Sequence, residues 1–202
     1  MTPRLAPRSF WYLRHGETDW NARGLSQGRS DIPLNDTGTA QATRAAGIIA
    51  EHWHDHAPIT RIVSSPLIRA YRTAELVAEA LAERDGVTLP LSTDRDLQEV
   101  CFGVQEGQPM GSWYDSWIAG EFTPDGAEPF QDLVARAIGA VDRATAGDGT
   151  VLIVCHGAMF RALRHAMGLA ANVRLPNAAP LWLTPGDPPG EPWSLTEVGK
   201  PA

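Results

Sequence analysis

Cysteine is scarce in this sequence: Cys101 and Cys155 are the only two in 202 residues, too few for a disulfide framework and in keeping with a reducing compartment. No apolar run approaches the roughly 20 residues a bilayer span requires. The first stretch, MTPRLAPRSFWYLRHG, has prolines and arginines but no long apolar segment, so no secretory leader is expected and a cytoplasmic protein is. Repeats and low-complexity blocks are also missing. Positive charge is in deficit, with 17 basic against 24 acidic residues and a formal net charge of −7. That balance argues against general binding to nucleic acid or to an anionic membrane. A small anion can still be drawn to a local cationic cleft. An apolar fraction of 43% suits a well-formed core, and the length favours one domain over residues 1–202.

What is present alternates between two periodicities. Residues 8–14 and 150–155 are the strongest strands, being apolar, partly β-branched and bounded by turn residues. TRIVSS (60–65) is a third, and VTLPLS (87–92) a weaker fourth that belongs at an edge because of Pro90. Between them, GTAQATRAAGIIAEHW reads as a helix capped by Asp36 or Thr37. PLIRAYRTAELVAEALAERDG reads as a helix with Pro66 in its first turn and its stop at Gly86. Residues 129–145 and 157–168 make two more helices, and the last 20 residues read as a loop, one short strand and a frayed end. Strands alternating with helices of this length predict a three-layer α/β sandwich, with ligands bound beyond the carboxyl ends of its strands.

Two of those strand ends share an oddity. FWYLRHG and VLIVCHG both close an apolar run on a histidine and a glycine, at His15-Gly16 and His156-Gly157. A third strand-to-helix junction, IVSSPLIRA, places Arg69 near a helix N-terminus, where backbone N–H groups already favour anions. Convergence of Arg14, His15, Arg69 and His156 from three strand ends makes a phosphate pocket without a metal.

At this point the sequence closely resembles the first branch of the histidine phosphatase superfamily, with its phosphoglycerate mutase-like fold. The residues carrying the resemblance are RHGET (14–18), Asn21, QG (27–28) with DIPLN (31–35), SSPLIRAYRTAE (64–75), LQEVCFGVQEG (97–107) and CHG (155–157). A lone RHG is weak; these ordered motifs together are specific. The resemblance implies an α/β/α sandwich with a mostly parallel central sheet, a cap-like insertion at about residues 100–130, and no cofactor or metal. It implies His15 as the nucleophile, Glu99 as the acid that protonates the leaving oxygen and then activates water, and Arg14, Arg69 and His156 as ligands of the phosphoryl oxygens. Asn21 and the Gly157 N–H would add hydrogen bonds. Neutral imidazole near pH 7 suits the first of these roles. One departure is Gln105, where the family often has tryptophan in its FGxxEG stretch; this changes the pocket lining and not the chemistry. Glu106 is read as structural. Oligomeric state stays open, a homodimer being frequent in the family.

Rival readings of the same residues fare worse. CHGAMFR (155–161) satisfies the Cys-x5-Arg spacing of cysteine-dependent phosphatases, but such spacing arises easily by chance in an arginine-rich chain. It also leaves RHGET and SSPLIRA unexplained. EHWHDH (51–56) puts His52 and His56 on one helical face without a nearby third ligand. A dead phosphate-binding module is disfavoured by the intact nucleophile.

The substrate class is read from the stretch between Asp96 and Ala135, which holds eight acidic residues and no lysine or arginine. Such a wall would repel a substrate bearing a second anion, although Arg23 or Arg29 could act from the other side. Its aromatics, Trp113, Tyr114, Trp117, Phe122 and Phe130, suit a monophosphate whose other end is apolar, neutral or cationic, such as a sugar, nucleoside or amine. The expectation is a phosphatase rather than a phosphoglycerate mutase.

Overall fold

β1 (Phe10–Arg14) is buried at every position, which is why its sequence is continuously apolar instead of alternating. It lies within a six-stranded sheet with β2 (Ile59–Ser64), β3 (Leu91–Thr93), β4 (Thr150–Cys155), β5 (Pro180–Thr184) and β6 (Ser194–Glu197), in the order β3-β2-β4-β1-β5-β6. The first four in that order run parallel, and β5 and β6 are antiparallel additions on the β1 side. The structure is a computed structural model and describes residues 4–187 and 190–200.

Successive side chains of a strand point to opposite faces, and here each face finds a helical layer. Phe10 and Tyr12 join Val151, Ile153 and Cys155 against α5 (Phe130–Ala144) and α6 (Gly157–Ala166). Trp11 and Leu13 join Leu152 and Val154 against α2 (Asp36–His52) and α3 (Ile68–Asp85). Each large apolar side chain so buried contributes roughly 1.5–3 kcal/mol. The result is the α/β/α sandwich with a mostly parallel sheet that the alternation predicts.

Details differ where local signals were ambiguous. The cap of α2 is Asn35, whose side chain accepts the Gly38 N–H at 2.7 Å, not Asp36 or Thr37. Three consecutive cap-type residues left that choice open. β3 shrinks to three residues after Pro90 and lies at the sheet edge. β5 and the short helices α1 (Asp19–Ala22) and α4 (Trp113–Ala119) were not anticipated. β5 opens on a proline, and α4 is too short for a helical period to emerge. The short strand expected near the C-terminus is β6, and the frayed end at residues 201–202 lies outside the described residues.

Strand register brings the site together. β1–β4 pairing sets Arg14 beside Cys155, and the His15 N–H donates to the Cys155 carbonyl at 3.0 Å. β2–β4 pairing sets Ser64 beside Val154, and the Ser65 N–H donates to the Val154 carbonyl at 3.0 Å. His15, His156 and Ser65 therefore leave three neighbouring strands at one level. The backbone after His15 then packs on the first turn of α2. A Cβ on Gly16 would collide with the Gly38 carbonyl, and one on Gly38 with the Glu17 carbonyl, so close approach and not turn geometry demands both glycines.

Candidate active site

His15 lines a cavity of about 60 Å³ beyond the strand ends, together with Arg14, Asn21, Arg69, Glu99 and Gly157. Its Nδ1 lies 2.7 Å from the Gly16 carbonyl. A carbonyl only accepts, so Nδ1 carries the proton and Nε2 keeps its lone pair. Burial, reinforced by the Arg69 and Arg14 charges, holds the imidazole well below its ordinary pKa. The ring is therefore neutral and nucleophilic at physiological pH.

Both flanking guanidiniums are buried and tied from behind. Arg14 donates to the Leu175 carbonyl at 2.5 Å; burial pulls its pKa down to about 10, which leaves it cationic at pH 7. Arg69, in the first turn of α3, donates to the Ser30 and Gly28 carbonyls, each at 2.8 Å. That explains the QG motif, since the 28–30 backbone orients the arginine. Among the described residues the Nε of each arginine is buried without a partner. Buried donors normally have partners, so two unspent N–H groups beside His15 fit an anion.

His156 stands behind His15, with ring centroids 5.2 Å apart, and is fully buried without lining the cavity. Its Nε2 lies 2.8 Å from Ser65 Oγ, which in turn accepts the Leu67 N–H at 3.2 Å. The hydroxyl keeps a second lone pair and its own proton, so it can either accept from or donate to Nε2; when it donates, His156 carries its proton on Nδ1. That Nδ1 is a third buried atom without a partner. Burial and then the Arg69 charge push the His156 pKa well down, so this ring is neutral too.

Glu99 is buried and lines the cavity opposite, its carboxylate accepting from the N–H groups of Val100 (3.1 Å), Ala158 (3.0 Å) and Met159 (3.3 Å). The last two belong to the first turn of α6, where a carboxylate is favoured. They leave Gly157 N–H as the first-turn donor not taken by Glu99. Asn21 commits its Oδ1 to the Thr18 and Asn177 donors at 3.3 and 3.2 Å, which frees its amide N–H groups.

Several supporting residues escaped the sequence. Arg136 donates to the Asp96 and Gln98 carbonyls at 2.6 and 2.7 Å while forking onto Glu128 at 2.7 Å, and so fixes the loop carrying Glu99. Thr73 ties Gly16 to α3, and Asn177 ties the His15 carbonyl to Asn21. Ser65 and Gln27 lie within the quoted motifs, which give neither a role; Gln27 lines the cavity. Arg161, which stands out in the sequence only by its spacing from Cys155, also lines the cavity. Glu106 is structural, its carboxylate accepting from Arg29 N, Ser30 N, Ser30 Oγ and Phe102 N between 2.6 and 3.2 Å.

Other expectations need correction. Of the eight acidic residues between Asp96 and Ala135, only Glu99 lines the cavity. Glu128 pairs with Arg136, Asp96 with Arg143, and Asp115 accepts from Asn172. Of the five aromatics, only Tyr114 lines the cavity, joined by Phe102; Trp117 and Phe130 are core, and Phe122 is exposed. Arg29 turns to Glu128 and the Glu99 carbonyl. The wall is thus far less acidic than its composition, because pairing spends the charge elsewhere. Cys155 lies in the core with its thiol pushed up to about 12 by burial, which removes the thiolate that a cysteine mechanism needs. His52 pairs with Asp55 at 2.8 Å and His56 stacks on Trp182, so the two do not share a ligand.

Comparison with known proteins bears on this geometry. The family model for the histidine phosphatase superfamily (branch 1) matches residues 10–184. The uncharacterised phosphatase PhoE of Bacillus subtilis (strain 168) is 36% identical over 157 residues, covering 75% of this chain and 72% of that one. Some longer mycobacterial relatives are matched over 42% of their length. The mycobacterial glucosyl-3-phosphoglycerate phosphatase Rv2419c, solved with VO3, has a TM-score of 0.75 at 28% identity, covering 96% of this chain and 100% of that one. A phosphoglycerate mutase from Thermus thermophilus has a TM-score of 0.70 at 26% identity, with the same two coverages. The chain belongs to branch 1 of the histidine phosphatase superfamily and is an enzyme of its phosphatase or mutase type.

Proposed function

We propose that the protein hydrolyses a small-molecule phosphate monoester through a phosphohistidine at His15, without a metal ion. The observation that carries this reading is the neutral His15 ring, with Nδ1 held by Gly16 and Nε2 left over, beside two buried guanidiniums with unspent N–H groups. Phosphatase names among the relatives support it.

In the first step His15 Nε2 attacks phosphorus in line with the ester bond. The N–P bond forms, the O–P bond breaks, and Glu99, which takes up a proton from solvent as the dianionic ester binds beside it, gives that proton to the departing oxygen. Arg14, Arg69, the Asn21 amide, the Gly157 N–H and His156 Nδ1–H take up charge on the phosphoryl oxygens, the main requirement of phosphoryl transfer. In the second step Glu99, now a carboxylate, accepts a proton from water as that water attacks phosphorus. Phosphate leaves and both residues return to their starting forms. Residues 100–130 act as the cap over this chemistry within one domain.

Hydrolysis is favoured over mutase action because the cavity adds a single cation, Arg161, to the two at the phosphoryl end. A mutase must also hold a second phosphoryl group together with a carboxylate, which calls for more. The test is incubation with 3-phosphoglycerate, with and without 2,3-bisphosphoglycerate, in the presence of EDTA, following free phosphate and 2-phosphoglycerate. Phosphate release outpacing isomerisation is expected. Faster isomerisation, or loss of activity in EDTA, would contradict the reading.

A further inference from the structure

Three arginines line the cavity, and they are held very differently. Arg14 and Arg69 are tied to backbone carbonyls. Arg161 on α6 has one side-chain hydrogen bond, from Nη1 to Tyr114 Oη at 3.3 Å, and its guanidinium carbon lies 4.9 Å from the centre of the Tyr114 ring. No ion pair engages it among the described residues. Its Nε is buried without a partner. A guanidinium resting on an aromatic face with an N–H unspent is an incomplete arrangement. Tyr114 Oη accepts from Arg161, so its own proton is also available; burial raises the phenol pKa and keeps that proton in place.

Position says what would complete it. Gly157 and Arg161 are four residues apart and so share a face of α6. The Arg161 Cα lies about 6 Å along the helix axis from that of Gly157, and its side chain leans back toward that end of the helix, so a skeleton of a few carbons bridges the phosphoryl group and an anion at the guanidinium. A planar guanidinium with Nε and a terminal N–H available matches a carboxylate.

We propose that Arg161 and Tyr114 form an anion subsite that selects phosphate monoesters carrying a carboxylate near the ester, and that Arg161 is the specificity-determining residue. This rests on the phosphomonoesterase reading above and reverses the substrate class that the composition of residues 96–135 suggests.

The test compares 3-phosphoglycerate with glycerol 3-phosphate, which differ at one carbon in carboxylate against hydroxymethyl. Wild type should favour 3-phosphoglycerate in kcat/KM for phosphate release by about 10- to 100-fold. Arg161→Met should lower kcat/KM for 3-phosphoglycerate at least about tenfold more than for glycerol 3-phosphate. Tyr114→Phe, which preserves the ring and its packing, should cut the preference severalfold. The same preference should appear as a ratio of dissociation constants in a His15→Ala background, by calorimetry, and should vanish when Arg161→Met is added. No preference in wild type, or equal losses on both compounds, would overturn the subsite. A binding preference without turnover of either compound would keep the subsite and refute the hydrolase.

Discussion

β1 and β4 run side by side in register and both end in His-Gly, yet they present their histidines in opposite ways. His15 has Nδ1 on a carbonyl and Nε2 unspent, and it lines the cavity. His156 has Nε2 on a serine hydroxyl and Nδ1 unspent, and it lies behind the first ring. The Gly16 carbonyl makes His15 offer a lone pair, whereas the Ser65 hydroxyl occupies Nε2 of His156 and leaves its Nδ1 as the unspent atom. In the proposed mechanism, identical dipeptides at equivalent strand ends serve as a nucleophile and a hydrogen-bond donor.

The largest effect follows from removing the lone pair. His15→Ala should lower kcat by at least about a thousandfold. Cys155→Ser, immediately before the other histidine, should stay within about tenfold of wild type, because that thiol is buried in the core and protonated. Steady-state assays on any accepted ester check both, and a reversed pair of results would move the mechanism to the β4 end.

Glu99 sits against the first turn of α6, directly after the His156 strand end, and in the proposed mechanism acts on the oxygen that leaves from His15's side. Glu99→Gln should depress turnover of alkyl phosphates about a hundredfold and of aryl phosphates much less, since an aryl oxide leaves without protonation. Equal losses on both would remove Glu99 from the acid role.

A smaller effect tests what the two histidines have in common. Burial pushes both rings well below their ordinary pKa, while in the unfolded chain each titrates near about 6.5. Below that pH the unfolded state binds more protons than the folded state, so stability falls as pH drops. The slope is at most about 1.4 kcal/mol per pH unit for each ring. Above about pH 6.5 neither contributes. Urea denaturation at pH 7.5 and 5.5 should show a larger acid-induced loss for wild type than for a His15→Ala/His156→Ala variant. Parallel losses would assign acid sensitivity to carboxylates alone.

The two strand ends were also the most legible part of the sequence. Four apolar residues running into Arg14-His15 and five running into His156 announce buried parallel strands and their functional ends together, because strand, turn and chemistry sit within a few residues. Legibility failed where the outcome depends on distant partners. The acidic count in residues 96–135 misled because Arg136 takes Glu128, Arg143 takes Asp96, and the loop at Arg29 and Ser30 takes Glu106. None of those pairings is encoded by local spacing. Arg161 stood in plain view beside Cys155, but that it faces the cavity and Tyr114 follows only from how α6 lies against the segment bearing α4. Ser65 was visible as one of two serines before a proline; its effect on His156 depends on β2–β4 register.

The most direct test of the central claim is to trap the phosphorylated enzyme with labelled substrate and locate the label. The account predicts an acid-labile, base-stable adduct on His15, as expected of a phosphoramidate, and its absence from His15→Ala. An adduct on Cys155 or His156, or turnover by His15→Ala at the wild-type rate, would contradict it.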